Sequence, residues 1–571
     1  MADPHASAAQ EAPPLAAKIG LWVGPILALA VFFLLPHGSG GLAHAARACG
    51  GVATLMAVWW MSEALPLEAT ALLPLVLLPL TGVYSPQIAP GDVVEVKPWN
   101  NAAGIVEQIR AGEALVHAQP PLAAENPAFA QWLPLKELSK DSPFKRAATP
   151  FADPSIFMFL GGFMIALAIE KWGLHRRLAL LTLLAVGTSP SRLVGGFLLA
   201  TGFVSMWISN TATAVMMLPI GLSVVHLLTV PRDSVAGGPP RSVGLHSTDA
   251  ANFATSLLLA IAYAASLGGF ATLIGTPPNV YFAGYMRGRG LPIDFGRWML
   301  FAAPLSLSYL CIAWLLLTKL LFPVRLTQIA GGHALIQEEY RKLGKVSRGE
   351  WTVLAVFLAT ATLWIARDPL AKWTWFAGHV PIIKSVDDSL IAMTGAVALF
   401  LIPVDPERHV FALDWRTALK LPWGVLLLFG GGLSLAAALG DSGLARWIGQ
   451  QVGVLGKLPT YWQIVLIVAL IVFSGELTSN LAAVVALMPI LFEVAAGMKV
   501  DPLLLCVPAV VAASCGFMLP VATPPNAIVF GAGHIKLGQM VRAGFLLDLV
   551  AVVLIPLFTY LFGGAVLGIK F

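Results

Sequence analysis

Charged residues are scarce in this sequence, and that scarcity decides its class. Asp, Glu, Lys and Arg make up 11% of the 571 residues, while 57% are hydrophobic. An ordinary soluble domain has roughly 25% charged residues, so a soluble globular protein is excluded. Apolar runs such as Leu21–Leu35, Met299–Phe322 and Leu546–Phe562 approach the roughly 20 residues that span a bilayer. We predict an integral membrane protein that retains its first apolar run as a span, because that run lacks the features of a signal peptide.

Cysteine is also rare, and histidine is scattered. The four cysteines show none of the close Cys/His spacings that bind zinc, and no nucleophile stands beside a base in the apolar segments. We therefore predict neither an enzyme nor a bound cofactor. The net charge of +5 is modest. Its most basic loop, Arg325–Arg348, is typical of a cytoplasmic loop rather than of a nucleic-acid-binding module.

Polar sequence interrupts the membrane pattern in two places. Tyr84–Pro150 carries six basic and seven acidic residues, and Thr229–Ala250 is rich in Pro and Gly. We predict that the first is an extramembrane excursion, part of it helical, and that the second is a short insert. The predicted organisation is an N-terminal tail at 1–18 and one membrane domain at 19–571. Within that domain, a first repeat covers about 52–322 and a second repeat covers about 350–571.

The evidence for two repeats is a set of short motifs that recurs in the same order. They match in pairs at offsets of 269 to 270 residues, or 247 for the last pair: Phe159–Gly162 with Leu428–Gly431, Gly173-Leu174 with Gly443-Leu444, Ser209-Asn210 with Ser479-Asn480, and Gly275–Asn279 with Ala522–Asn526. The insert in the first half explains the shorter last offset. Such duplications are typical of secondary transporters, whose binding sites lie near the membrane midplane at broken helices from both repeats.

The recurring motifs combine helix breaks with short polar side chains. Pro277-Pro278 and Pro524-Pro525 interrupt helical hydrogen bonding, so flanking backbone groups become available to a ligand. Ser and Asn side chains can donate to a carboxylate or bind a cation through oxygen, and helix N-termini favour an anion. We therefore predict a site for a small anion and Na⁺ at the two Ser-Asn motifs. Interhelical hydrogen bonding is the alternative explanation for each polar residue taken alone.

The two Ser-Asn motifs are unequal. Ser205, one turn before Ser209, adds a hydroxyl to the first motif, whereas the matching position in the second is Gly475. Leu481 likewise stands where the first motif has Thr211. We expect the second motif to hold its cation more through backbone groups and to influence selectivity by shape.

Acidic residues within the apolar segments have two explanations. Glu476 lies within one helical turn of Ser479, so it either tunes the cation site or pairs with a structural partner elsewhere. The other acidic residues are expected near the ends of spans, where interfacial water solvates them: Glu63, Glu68, Glu170 and Asp548.

The motifs resemble those of the divalent-anion/sodium symporter family, which carries succinate, malate, fumarate, citrate and, in some branches, sulfate. The resemblance rests on four stretches: Trp59–Pro66, Ser205–Met217, Gly268–Asn279 and Phe517–Phe530. It implies an all-α polytopic fold with two inverted-topology repeats, broken helices, and about 11 spans plus two re-entrant hairpins near Gly161-Gly162 and Gly430-Gly431. It also implies a multi-pass protein of the cell membrane, a homodimer and an elevator-type mechanism.

The resemblance further implies a set of ligand contacts. The residues expected to bind substrate are Asn210, Thr211, Thr276, Pro277, Asn480, Thr523 and Pro524. Those expected to bind Na⁺ are Ser205, Ser209, Asn210 and Gly275 at one site, and Ser479, Asn480 and Ala522 at the other. The predicted function is Na⁺-coupled symport of a small dianion, most simply a C4-dicarboxylate. A sulfate or other oxyanion carrier and a dicarboxylate exchanger are the alternatives, while a channel is not favoured.

Overall fold

The computed structural model describes most of the chain. It covers residues 15–37, 41–84, 93–96, 102–110, 113–118, 130–135, 138–139, 141–187, 189–227, 248–326, 331–451 and 459–571. Within these ranges, eight helices are long and apolar enough to cross a membrane, and shorter apolar helices accompany them. The prediction of a polytopic membrane protein is confirmed, while the number of spans stays a prediction. The predicted insert at Thr229–Ala250 lies outside the described residues, apart from its last three.

The helices, numbered in chain order, are α1 (Leu15–Leu34), α2 (His44–Ser62), α3 (Leu67–Ala71), α4 (Leu73–Leu80), α5 (Pro143–Ala148), α6 (Pro154–Lys171), α7 (Leu174–Val186), α8 (Pro190–Ser205), α9 (Asn210–His226), α10 (Thr248–Gly269), α11 (Pro277–Gly288), α12 (Phe295–Leu315), α13 (Gly332–Lys342), α14 (Arg348–Lys372), α15 (Thr374–His379), α16 (Asp388–Leu401), α17 (Trp415–Ala418), α18 (Trp423–Asp441), α19 (Leu444–Gln451), α20 (Thr460–Gly475), α21 (Asn480–Gly497), α22 (Pro502–Ala512), α23 (Pro524–Gly531) and α24 (Leu537–Leu567). A π-helical turn, Leu316–Leu321, extends α12. Two compact units divide the chain: residues 1–152 with 430–445, and residues 153–429 with 446–571.

In the first unit, α1 packs closely against α2. A Cβ atom at Gly20 would lie 1.9 Å from Ser62 Oγ, and one at Gly24 would lie 2.5 Å from Trp59 Nε1. Small residues allow this approach of two helices, which is a common way of packing helices in membranes. The first apolar run therefore forms a helix that is packed onto its neighbour.

Much of the described part of the polar excursion forms a β-sheet, which was not predicted from the sequence. Its strands pair antiparallel in the order β4-β3-β2-β1-β5: β1 (Val93–Val96), β2 (Ala102–Arg110), β3 (Glu113–Ala118), β4 (Ala130–Pro134) and β5 (Leu138–Ser139). Alternate residues such as Val94 and Val96, or Ala114 and Val116, build a core on one face. The expectation of an all-α fold is therefore wrong for this region, where α5 is the helical part. Two short strands, β6 (Pro403–Asp405) and β7 (Val410–Phe411), pair in the second unit.

Backbone geometry explains the duplicated Gly-Leu pairs. Gly173, between α6 and α7, has a φ of 72°, and Gly443, between α18 and α19, has a φ of 77°. Glycine adopts this left-handed region without steric cost. Each glycine lies between two consecutive helices, shortly after the Gly-Gly pair near which a re-entrant hairpin is predicted. The path of these hairpins through a bilayer stays a prediction.

Helix α10 is the central support of the second unit. Nearly all of its residues are buried, and it packs against α8, α9 and α23. It approaches α8 so closely that a Cβ atom at Gly268 would lie 2.1 Å from the Gly202 carbonyl oxygen. This crossing brings the C-terminal end of α8 next to that of α10, and both ends lead into the recurring motifs.

We predict that Gly268→Ala destabilises the protein, because the added methyl group must push the α8 backbone away. Overpacking of this kind typically costs about 1–3 kcal/mol, which thermal unfolding of the purified protein would register as a lower midpoint. Gly288→Ala is the matched control, since nothing lies within 4 Å of a Cβ atom there. Equal midpoints for both variants would contradict the tight crossing.

Candidate ligand-binding site

The first Ser-Asn motif lies in a break between two helices. Helix α8 ends at Ser205, and Ser209 caps α9, its Oγ accepting a hydrogen bond from Ala212 N at 3.2 Å. Ser205 Oγ lies 2.7 Å from Asn210 Oδ1 and 2.7 Å from the Ala265 carbonyl oxygen of α10. The one-turn spacing relates Ser205 to Ser209, whereas the residue of this motif that Ser205 contacts in the structure is Asn210.

Backbone carbonyl groups converge beside Gly275. This glycine lies in the non-helical segment between α10 and α11. A Cβ atom at Gly275 would lie 2.3 Å from the carbonyl oxygen of Gly269, 2.9 Å from that of Met206 and 3.0 Å from that of Ser205. Hard cations bind oxygen ligands, including backbone carbonyls. A side chain at position 275 would occupy this space, so glycine keeps the oxygens accessible.

The side chain of Asn279 stabilises the non-helical segment between α10 and α11 by hydrogen bonding. Asn279 is fully buried, and its Nδ2 donates to the carbonyl oxygens of Phe270 at 3.0 Å and Thr272 at 2.8 Å. Thr272 Oγ1 in turn donates to the Met206 carbonyl oxygen at 2.5 Å and accepts from Gly275 N at 3.0 Å. This asparagine belongs to the recurring Thr-Pro-Pro-Asn motif, but no role was predicted for it. Its role is to supply donors where the helix is interrupted.

The second half repeats this geometry. Asn526 Nδ2 donates to the carbonyl oxygens of Gly516 at 3.1 Å and Leu519 at 3.0 Å. The residues that precede the two Pro-Pro pairs have nearly the same backbone angles, with φ −143° and ψ 139° at Thr276 and φ −142° and ψ 148° at Thr523. The duplication seen in the sequence therefore extends to the local structure, while the inverted orientation of the repeats stays a prediction.

The second Ser-Asn motif forms fewer hydrogen bonds than the first. Asn480 Oδ1 is buried without a hydrogen-bond partner among the described residues, and Ser479 makes no side-chain cap to α21. A Cβ atom at Gly475 would find Asn480 Oδ1 as its nearest neighbour, at 4.0 Å. The space that Ser205 fills in the first half is thus open in the second.

Glu476 has a structural partner, one of the two outcomes that its position allows. The side chain is 4% exposed, and its carboxylate accepts three backbone hydrogen bonds, from Phe517 N at 2.6 Å, Met518 N at 2.9 Å and Leu519 N at 2.9 Å. These amides belong to the non-helical segment that leads to Ala522. Glu476 therefore fixes the loop of the second half.

Asp548 does not lie near the end of a span, so that expectation is wrong. It is fully buried well inside α24, beside the Glu476 carboxyl group. The other acidic residues do lie at helix ends: Glu63 at the C-cap of α2, Glu68 in the first turn of α3 and Glu170 in the last turn of α6.

Helices from the two halves pack against each other at the motifs. Helix α9 packs against α23, and α11 packs against α21, where Tyr281 Oη donates to the Val485 carbonyl oxygen at 3.4 Å. Each helix that starts at a motif of one half therefore contacts a helix that starts at a motif of the other half.

The predicted ligand residues differ in their exposure to solvent. Several are exposed or half-buried: Ser209, Asn210, Thr211, Pro277, Ser479, Asn480 and Pro524. The others are buried: Ser205, Gly275, Thr276, Ala522 and Thr523. Three of the seven positions predicted to bind Na⁺ are buried, and five of the seven predicted to contact substrate are exposed or half-buried.

Comparison with known proteins identifies the family. Residues 17–569 match the family model described as the sodium:sulfate symporter transmembrane region. The chain belongs to the divalent-anion/sodium symporter family. The resemblance drawn from the motifs is confirmed, and the protein is a multi-pass membrane transporter, not an enzyme.

Two curated relatives of this symporter have the same name. The sodium-dependent dicarboxylate transporter SdcS of Staphylococcus saprophyticus is 36% identical over 553 residues, which cover 96% of this chain and 92% of the relative. SdcS of Staphylococcus aureus strain USA300 is 35% identical over 555 residues, with the same coverage. Among solved structures, the YdaH transporter of Alcanivorax borkumensis has a similar fold, with a TM-score of 0.53 and 14% identity over 92% of this chain and all of that chain.

We predict that Gly475→Ser strengthens Na⁺ binding by placing a hydroxyl beside Asn480 Oδ1, as Ser205 does beside Asn210. One added oxygen contact is worth about 0.5–1.5 kcal/mol, so the half-saturating Na⁺ concentration should fall roughly two- to tenfold, measured by Na⁺-dependent thermal stabilisation.

The reverse substitution, Ser205→Gly, should raise the half-saturating concentration by a similar factor. Gly531→Ser, where nothing lies within 4 Å of a Cβ atom, controls for a general effect of serine. Unchanged Na⁺ dependence in both Gly475→Ser and Ser205→Gly would place the cations elsewhere.

Proposed function

We propose that this symporter uses Na⁺ to drive uptake of C4-dicarboxylates such as succinate, malate and fumarate. Two relatives that are 35–36% identical over nearly the whole chain are named sodium-dependent dicarboxylate transporters. The observation that carries the proposal is the convergence of three backbone carbonyl oxygens beside Gly275, next to the Ser205–Asn210 contact. Such a cluster of neutral oxygens at a helix break suits Na⁺.

The first proposed Na⁺ site consists of Ser205, Ser209, Asn210 and Gly275. Hydroxyl, amide and carbonyl oxygens there come from two broken segments that Thr272 ties together. The second proposed site consists of Ser479, Asn480 and Ala522. The partnerless Asn480 Oδ1 is an acceptor that a cation would satisfy, since a buried polar atom without a partner costs about 1–3 kcal/mol.

The proposed substrate site lies where the helices begin. Helices α9, α11, α21 and α23 each present an N-terminus at a motif, and helix N-termini offer free amide donors and a partial positive charge to an anion. The side-chain contacts proposed for the dianion are Asn210, Thr211, Thr276, Pro277, Asn480, Thr523 and Pro524. None of them carries a full positive charge. We infer that bound Na⁺ supplies the missing charge, so that cations bind before the dicarboxylate.

The proposed mechanism is an elevator movement within a homodimer. The packing of α9 on α23 and of α11 on α21 supports it, because motif helices joined in this way would move as one body around the ligands. Each net positive charge carried inward would gain about 2.3 kcal/mol per 100 mV of membrane potential.

Sulfate is the second candidate substrate, because the description of the matching family model names a sodium:sulfate symporter. The second motif argues for the dicarboxylate. Leu481, in the first turn of α21, is buried and apolar, so it can contact the hydrocarbon part of a C4 acid but cannot donate a hydrogen bond to sulfate.

Uptake of labelled succinate into proteoliposomes tests the function. We expect accumulation when an inward Na⁺ gradient is imposed and little uptake when K⁺ replaces Na⁺. Excess unlabelled fumarate should inhibit uptake, and excess sulfate should not. Succinate uptake that is indifferent to Na⁺ would rule out the symport. If sulfate, but no C4 acid, protects the purified protein from thermal unfolding, the protein belongs to the second candidate.

We predict that Leu481→Thr shifts the substrate profile toward sulfate and more polar acids. Restoring the hydroxyl that the first motif has at Thr211 adds a donor worth about 0.5–1.5 kcal/mol, so the ratio of inhibition constants for succinate and sulfate should change roughly two- to tenfold. Leu491→Thr, on the same helix but away from its N-terminus, is the control. An unchanged ratio would mean that residue 481 does not line the substrate site.

A further inference from the structure

Two carboxyl groups lie side by side in the interior of the second unit. Glu476 stands at the C-terminal end of α20 and is 4% exposed, while Asp548 lies within α24 and is fully buried. The Asp548 carboxyl group lies next to that of Glu476 and near the Phe517 amide. The predicted ligand sets do not include either residue.

The two carboxyl groups differ in their partners. Glu476 accepts three backbone hydrogen bonds from the loop at Phe517–Leu519. Both oxygens of Asp548 lack a hydrogen-bond partner among the described residues. Neither carboxyl group takes part in a salt bridge within the described part of the chain. A single unpaired carboxylate in the membrane interior is already costly, and a second beside it adds repulsion.

The other titratable groups that face Asp548 cannot compensate its charge. They are Tyr263 on α10, Tyr309 on α12 and Cys515 after α22, and none is a cation. Their hydrogens are directed to backbone carbonyl groups instead: Tyr263 to Met540, Tyr309 to Leu547 and Cys515 to Val511. Asp548 therefore has no counter-charge among these groups, and the Phe517 amide near it donates to Glu476 at 2.6 Å.

We propose that Asp548 and Glu476 form a proton-binding site. A proton taken from water binds an Asp548 oxygen, and the resulting O–H donates to the Glu476 carboxylate. Hydrogen bonds of this kind, from an acid to a carboxylate, are short and strong. The pair then carries one negative charge instead of two, and Asp548 gains the partner that it lacks. The proton resides on Asp548 because the Glu476 oxygens already accept three amide hydrogens.

The surroundings favour a proton over a metal cation in this position. A metal ion needs several oxygen ligands, whereas the Glu476 oxygens are occupied by backbone N–H groups whose positive ends point toward the pair. A proton needs only the two facing oxygens.

Protonation of this site can affect the second motif through the loop at Phe517–Leu519. Glu476 holds Phe517–Leu519, the segment just before Ala522 and Thr523. Loss of the proton would put two negative charges side by side and weaken the hold of Glu476 on that segment. The geometry thus links protonation to the backbone of the second ligand site. This link goes beyond the proposed Na⁺-dicarboxylate symport and does not depend on the identity of the substrate.

Infrared spectroscopy of the purified full-length protein tests the proton site directly. We expect a carbonyl stretching band of a protonated, buried carboxylic acid at neutral pH, shifted in D₂O and lost at high pH. Asp548→Asn should abolish the band. Asp414→Asn is the control, because Lys171 beside Asp414, at 2.7 Å, lowers the pKa of that carboxyl to about 2 and keeps it ionised. A band that persists in Asp548→Asn overturns the proposal, as does a band that Na⁺ removes from the unaltered protein.

Transport provides a second and independent readout. We expect uptake by the unaltered protein to decline as the pH rises above neutral. Asparagine imitates the neutral acid, so uptake by Asp548→Asn should not show this decline. Asp548→Glu keeps a titratable group and should keep the decline. A decline that is equal in all three proteins would contradict the link to the second motif. The infrared result stands apart from this outcome, since it requires neither transport nor a correct substrate.

Discussion

The constraint on which the site depends is that every backbone polar group inside a membrane needs a partner. A broken helix exposes several such groups at once. In each half one buried asparagine side chain, Asn279 or Asn526, donates hydrogen bonds to two carbonyl groups that the break leaves without a helical partner. Because the asparagine directly follows the two prolines that interrupt the helix, the break and its brace come from the same motif. The remaining carbonyl oxygens near Gly275 are then available to a ligand.

The two halves hold their non-helical loops with different hydrogen bonds. In the first, the Thr272 hydroxyl ties its loop to the Met206 carbonyl group, so a neutral donor meets a backbone acceptor. In the second, the position that matches Met206 is Glu476, and its carboxylate accepts three backbone hydrogen bonds, one of them from Leu519, which matches Thr272. The first loop therefore keeps an arrangement rich in carbonyl oxygens, while the second is organised around a negative charge. Asp548 lies beside that charge.

Local features of the sequence were predicted well. The proline pairs predicted to interrupt helices stand at the starts of α11 and α23, and Ser205, predicted to add a hydroxyl to the first Ser-Asn motif, contacts Asn210 of that motif. The sheet at Val93–Ser139 was missed because its strands have only two to nine residues, and alternation over so few residues is a weak signal beside long apolar runs. The role of Asn279 was missed for another reason. Its partners are carbonyl groups, which are present at every residue and become available only where a helix is broken.

The sequence by itself determined the membrane class, the family and the positions of the helix breaks, because hydropathy, prolines and glycines act on the residues around them. Only the tertiary structure decided that α9 packs on α23 and that Asp548 lies beside Glu476. No periodicity links residues so far apart in the chain. Their contact arises from the way α20 and α24 pack, and burial in that packing turns an ordinary aspartate into a group that needs a proton.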